Sequence, residues 1–298
     1  MKGVALHSFA ALLVTCGAFL TKSWWEGSST EFTVAVVAIL IAGVPHGSLD
    51  HEVEGRTRKK FQLLRFLVMY IIVAFIYLGV WMIWPGIAFI IFLLITAWHF
   101  GETDFHSFQL KNHNPGLLFL YGISITLWLL VQEKETLLHW TNIITQGNSL
   151  ATVTVEKITS ISPNWWYITL AIILVLNNEG SKKSYIASFF FLLFVFLLSY
   201  TTLLIGFVIY FTGWHSLHAL QHIRMSAFKT EHFKVLVKKA LFPTVGALVF
   251  LGAIVWLGNK EWMQIGFLPA IFILLSILTL PHMLVMHRMY EAKKVEVE

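Results

Sequence analysis

The residues in this sequence that could do chemistry are histidines. The stretch "GWHSLHALQHIR" (213–224) places His215, His218 and His222 at the end of an otherwise apolar segment. His218 and His222 are four apart and His215 is three before His218, so on a helix all three project from one side. An i, i+4 pair of this kind can deliver two imidazole nitrogens to a single ion. Three further stretches carry the same theme: "GVPHGSLDHEVEG" (43–55), "TAWHFGETD" (96–104) and "LPHMLVMHR" (280–288). A ligating imidazole commonly gives its other ring N–H to a carboxylate or carbonyl, which fixes its tautomer. His46 precedes Asp50 by four and His99 precedes Glu102 by three; with Asp104, these are the carboxylates within reach of the motifs. His282 stands in the last motif, and Trp98 and Trp214 each directly precede a motif histidine, where they could wall a pocket or anchor a helix end.

The blander readings apply to the rest of the thirteen histidines. His7, His106, His113, His139 and His232 read as loop or helix-end residues. His51 and His287 face either lipid headgroups or the site. The chain has one cysteine, Cys16, so an internal disulfide and a thiolate metal site are both excluded. Any metal must be held by His, Asp or Glu. Imidazole-rich sites suit Zn, Cu, Fe or Ni. An all-histidine shell leaves an ion open to small diatomic ligands; the hard chemistry on an unactivated lipid is oxidation by O₂, and Fe(II) fits it.

Something must hold these groups together, and the composition says what. Of 298 residues 57% are hydrophobic and 12% charged, with a mean hydropathy of +0.73. Ordinary soluble domains carry about a quarter charged residues. The sequence therefore predicts an all-α integral membrane protein, one polytopic domain over 1–298, with no soluble domain and no repeat of fixed period. A span needs about 20 apolar residues, and ten candidates follow: 4–21, 31–48, 65–84, 86–101, 116–132, 164–178, 185–200, 202–223, 241–258 and 264–286. Breaks are expected at "WPG" (84–86) and "SYTT" (199–202); without the second, 185–223 would be a helix of nearly 60 Å at about 1.5 Å per residue. The longest loop, 133–163, is expected along the membrane interface.

Ten spans put both termini on one side. The basic loops after spans two, six, eight and ten make that side cytoplasmic. The net charge of +5 is read as loop charge that orients the chain, not as a nucleic-acid footprint. Each histidine motif falls at the C-terminal end of an even-numbered span. The four are therefore expected to meet at similar depth near the cytoplasmic leaflet, where ionisable groups are costly and default to function.

"PHGSLDHE", "WHFGETD", "WHSLHALQHIR" and "LPHMLVMHR" resemble, in order, the motifs of the Brp/Blh family of bacterial and archaeal membrane β-carotene 15,15'-dioxygenases. The resemblance runs from about 43 to 288. It implies cleavage of the central double bond of β-carotene with O₂ to two molecules of all-trans-retinal, which supply microbial rhodopsins. It also implies iron held by His46, His99, His218 and His222, with Asp50, His51, Glu102, Asp104, His215 and His282 as further ligands or supporting groups. The aromatic runs 75–84 and 189–200 serve helix packing and interfacial belts; they are also dense enough to line an apolar slot for the polyene.

Two other classes are weighed against this. Di-iron membrane hydroxylases and desaturases use about eight clustered histidines with H-x-x-H-H boxes, and this chain has no adjacent His-His pair. A non-catalytic transporter or retinal-handling protein should carry polar residues through the full bilayer depth, whereas here the span centres are bland.

Overall fold

The computed structural model describes residues 2–55, 60–112, 114–178, 180–228, 233–258 and 266–295, and among them the chain is helical without a strand. The helices are α1 (Lys2–Leu20), α2 (Ser29–Gly55), α3 (Lys60–Ile83), α4 (Pro85–Phe108), α5 (Pro115–Leu130) and α6 (Lys134–Ile144). They continue as α7 (Ser149–Thr159), α8 (Pro163–Leu176), α9 (Lys182–Leu198), α10 (Leu203–Phe228), α11 (Phe233–Gly258) and α12 (Phe267–Val295).

Six of these, α2, α3, α4, α10, α11 and α12, contain stretches long and apolar enough to cross a membrane, which makes this a multi-pass membrane protein. α5 and α6 are bent by 99° at their junction and α7 and α8 by 70°; taking each bent pair as one span gives eight. The expected ten spans are thus six to eight by length and composition. The apolar part of α1 covers only His7–Leu20, and α9 has 17 residues, shorter than the roughly 20 a straight crossing needs. Residues 133–163, expected as a loop, fold mostly as α6 and α7. The basic stretches 56–59 and 229–232, and with them His232, lie outside the described residues, as does His113.

Both expected breaks are present, and local chemistry explains each. Pro85 opens α4 at the first helical position, where a missing N–H costs nothing, and the Tyr77 hydroxyl donates to the Ala88 carbonyl at 2.9 Å. At 199–202 the Thr201 hydroxyl donates to the Leu198 carbonyl at 2.7 Å. Thr202 then caps α10 by accepting from the Ile205 N–H.

The residues cluster into two compact units interleaved along the chain. The first comprises Met1–Gly43, Thr96–His139 and Thr154–Ala219; the second comprises Val44–Ile95, Trp140–Val153 and Leu220–Glu298. In the first unit α1 packs along α9, and α5 along α8. The His99-bearing end of α4 meets α5 backbone to backbone. A Cβ on Gly122 would collide with the Ala97 carbonyl, and one on Gly101 with the Leu118 carbonyl. Small residues at such crossings let membrane helices approach closely. Buried Glu31 staples the start of α2 to the start of α10, accepting from the Gly27 N–H at 2.7 Å and from the Thr202 hydroxyl. In the second unit α12 packs on α3 and α11, and the Trp81 indole donates to the Ser276 hydroxyl at 2.7 Å.

The regular ladder is interrupted beside the histidines. α2 passes through a π-helical turn at Ile39–Gly43, just before His46. α10 holds two, Ile209–His215 and Arg224–Phe228, which bracket the regular turns Ser216–Ile223. α12 carries Pro281 inside the helix next to His282. π-turns inside α-helices recur at functional sites. An i→i+5 turn takes one more residue than an α-turn, so it re-aims every side chain that follows.

Candidate metal centre

In the first unit, four imidazoles form two pairs. His99, on α4, and His215, the last residue of a π-turn of α10, approach Nε2 to Nε2 at 3.1 Å with rings nearly perpendicular. Both are buried. Aromatic rings hold them: Phe100 lies 4.5 Å from His215 between centroids, and Phe211 stacks on it at 6.0 Å. The second pair is His218 with His7 of α1, Nε2 to Nδ1 at 3.4 Å. His218 Nδ1 sits 2.9 Å from the Trp214 carbonyl. A carbonyl only accepts, so Nδ1 carries the proton and a neutral His218 presents its lone pair at Nε2.

Trp214 organises this region. Its indole N–H donates to Asp104 Oδ1 at 2.9 Å, and its ring lies 4.2 Å from that of His218 and packs on Phe191 and Phe194. Asp104 Oδ2 accepts from the hydroxyls of Tyr121 at 2.9 Å and Tyr210 at 3.1 Å. With three donors on two oxygens, this buried carboxylate anchors two side chains of the π-turn, Tyr210 and Trp214.

In the second unit His46 and His282 meet edge to face, with centroids 4.8 Å apart. His282 Nδ1 donates to Asp50 Oδ1 at 2.7 Å, and the Tyr70 hydroxyl donates to Asp50 Oδ2 at 3.0 Å. Asp50 therefore serves His282, 232 residues away, where the sequence spacing had offered it to His46. A carboxylate on Nδ1 aims Nε2 of the same ring outward as a ligand nitrogen. His222 Nδ1 lies 2.8 Å from the Tyr290 hydroxyl.

The four motifs thus supply buried imidazoles at His46, His99, His215, His218, His222 and His282. His215, His218 and His222, expected on one side of a helix, engage three different partners: His99, His7 and Tyr290. The π-turn that ends at His215 breaks the i, i+3 relation to His218. His51 turns to its own helix end, with Nδ1 donating to the Ser48 carbonyl at 2.9 Å and Nε2 3.4 Å from Glu52. Glu102 is buried on α4, and Trp98 is half-buried where Trp214 is fully so. Within the aromatic runs, Phe191, Phe194, Tyr77 and Trp81 are core, while Phe189, Phe75 and Trp84 face outward.

Three residues at these pairs were not singled out by sequence reasoning. His7 read as bland because a lone histidine in an apolar helix carries no spacing signal. Tyr70 and Tyr290 sit in long helices with nothing local to mark them. Only tertiary packing brings each to its partner.

The donor set fits a transition metal. His46 and His282 in the second unit and His99 in the first are buried imidazoles suited to an ion. Two cis nitrogens each about 2.0–2.1 Å from an ion stand about 3 Å apart, which is the His99–His215 separation. Nitrogen donors of this kind suit Fe, Zn, Cu or Ni.

Comparison with known proteins agrees. A family model described as beta-carotene 15,15'-dioxygenase matches residues 37–290, and all four motifs lie inside that range. A protein named beta-carotene 15,15'-dioxygenase, from uncultured marine bacterium 66A03, is 26% identical over 255 residues, covering 84% of this chain and 90% of that protein. No solved structure matches. The motifs, their burial and the family match lead to one assignment: this chain belongs to the β-carotene 15,15'-dioxygenase family.

Proposed function

We propose that this protein cleaves the central 15,15' double bond of β-carotene with O₂ to give two molecules of all-trans-retinal. The observation that carries the reading is the coincidence of the family match over 37–290 with buried imidazoles at every one of the four motifs. Fe(II) is the proposed cofactor, held by His46, His99, His218 and His222, with His215 and His282 as additional candidate ligands. When bound, iron would supply the O₂ activation that side chains cannot.

The chain's own part is to hold and orient. The Trp214 carbonyl keeps the His218 proton on Nδ1, and Asp50 does the same for His282. The aromatic packing around Trp214, His215 and Phe211 keeps water from the imidazoles of the first unit and suits an apolar polyene. Orientation of a rigid C40 substrate against a fixed centre is worth several kcal/mol. The length of the apolar path then selects the middle bond. The proposed setting is the cell membrane, with both termini cytoplasmic and membrane lipid as the solvent of the substrate. A microbial rhodopsin is the proposed acceptor of the retinal.

The test is expression of the full chain in cells that accumulate β-carotene, with product identification and metal analysis of the purified protein. Loss of orange colour, retinal as product and one iron per chain are expected. Unchanged pigment with metal bound would make the protein a non-catalytic metal or retinal handler. Two irons per chain with hydroxylated or desaturated carotenoid would make it a di-iron oxygenase.

A further inference from the structure

His7 lies on α1, outside residues 37–290 that match the family model, yet its ring meets a motif histidine. Its Nδ1 is 3.4 Å from Nε2 of His218, with the two rings at 82° and centroids 4.9 Å apart. The Trp214 carbonyl commits His218 Nδ1 as a donor, so the atom His7 faces is the lone-pair nitrogen through which a neutral His218 would bind an ion. A direct N–H···N bond at this length would be weak, because N–H hydrogen bonds centre near about 2.9–3.0 Å. Two nitrogens each about 2.0–2.1 Å from one ion at the tetrahedral angle stand about 3.3–3.4 Å apart. The spacing is therefore that of two ligands sharing a metal.

α1 is also fixed well enough to supply a ligand. It packs along α9 and against the π-turn Ile209–His215, and Phe9 meets Phe190 edge to face at 6.0 Å.

We propose that His7 is an additional ligand to the metal ion held by His218, so that the N-terminal helix completes the centre from outside the family core. This rests on the proposed role of His218 as an iron ligand. The experiment compares purified full-length wild type with His7→Ala, His7→Gln and His218→Ala. The readouts are iron retained per chain against a graded chelator and the visible absorption bands of the Co(II)-substituted protein. His7→Ala should lower retention at least about tenfold, as loss of a group at a metal site does, and shift the Co(II) bands. Added free imidazole should restore both by filling the empty position. His7→Gln, which keeps the bulk and a hydrogen-bonding end, should behave like His7→Ala before rescue, and it decides the matter if the alanine variant does not fold.

Wild-type retention and unshifted bands in the His7 variants, with His218→Ala depleted, would overturn this proposal and leave the parent reading standing. Wild type without iron would overturn both. Depletion in the His7 variants that imidazole does not restore would make His7 a packing residue and overturn its role as a ligand.

Discussion

The two units hold their histidines by different means. In the first, rings are wedged between rings: His215 between Phe100 and Phe211, His218 against Trp214. The carboxylate there, Asp104, acts on the tryptophan and two tyrosines. In the second, polar groups touch the imidazoles themselves, Asp50 on His282 and Tyr290 on His222. Packing fixes where a ring plane lies, while a hydrogen bond fixes which nitrogen carries the proton. A fault in the first unit should therefore appear as lost structure, and a fault in the second as lost metal affinity.

Deleting one imidazole from each unit gives the largest effect. His218→Ala and His222→Ala should each abolish β-carotene cleavage and deplete iron while the protein still inserts in membranes. Retinal formation and metal content measure this, and activity surviving in either variant would show that its unit does not serve the metal. Next in size, the two carboxylates can be set against each other. Asp50→Asn should weaken metal binding about 10–100-fold, the usual cost of losing an outer partner of a ligand, with little change in thermal unfolding. Asp104→Asn should do the reverse. It weakens charge-assisted hydrogen bonds worth about 1.5–3 kcal/mol each and should lower the unfolding temperature more than the metal affinity. Chelator competition and thermal melts on both variants would break the comparison if the two behave alike. The smallest effect is expected from Tyr290→Phe. One hydrogen bond to His222 is lost, about 0.5–1.5 kcal/mol, seen as a few-fold drop in metal retention by a protein that still folds.

Much of this was legible in the sequence because it depends on local pattern. Composition identified a helical membrane protein, and the helix breaks at Pro85 and Thr202 followed from turn chemistry and from the length limit on a span. The motif histidines stood out because ionisable groups are rare in such a chain. The sequence could not show which group each histidine meets. Asp50 is four residues from His46 but bonds His282, since the turn at Ser48–Leu49 interrupts the helix between the two. His215 parts from His218 because a π-turn ends between them, and no composition rule marks where a ladder will widen. The span count was overestimated because α1 and α9 are apolar but short, and hydropathy alone does not say whether such a helix crosses or stops.

The π-turn at Ile209–His215 has a consequence for how this stretch can vary. It accommodates one residue more than a uniform α-ladder would. Deleting a single apolar residue there would let the ladder close up and rotate everything downstream by about 100°, the angle each residue subtends in an α-helix. His218 and His222 would then point elsewhere, with no chemical group altered. Exchange of one apolar residue for another is tolerable at the outward positions of this turn, while any insertion or deletion disarms the protein.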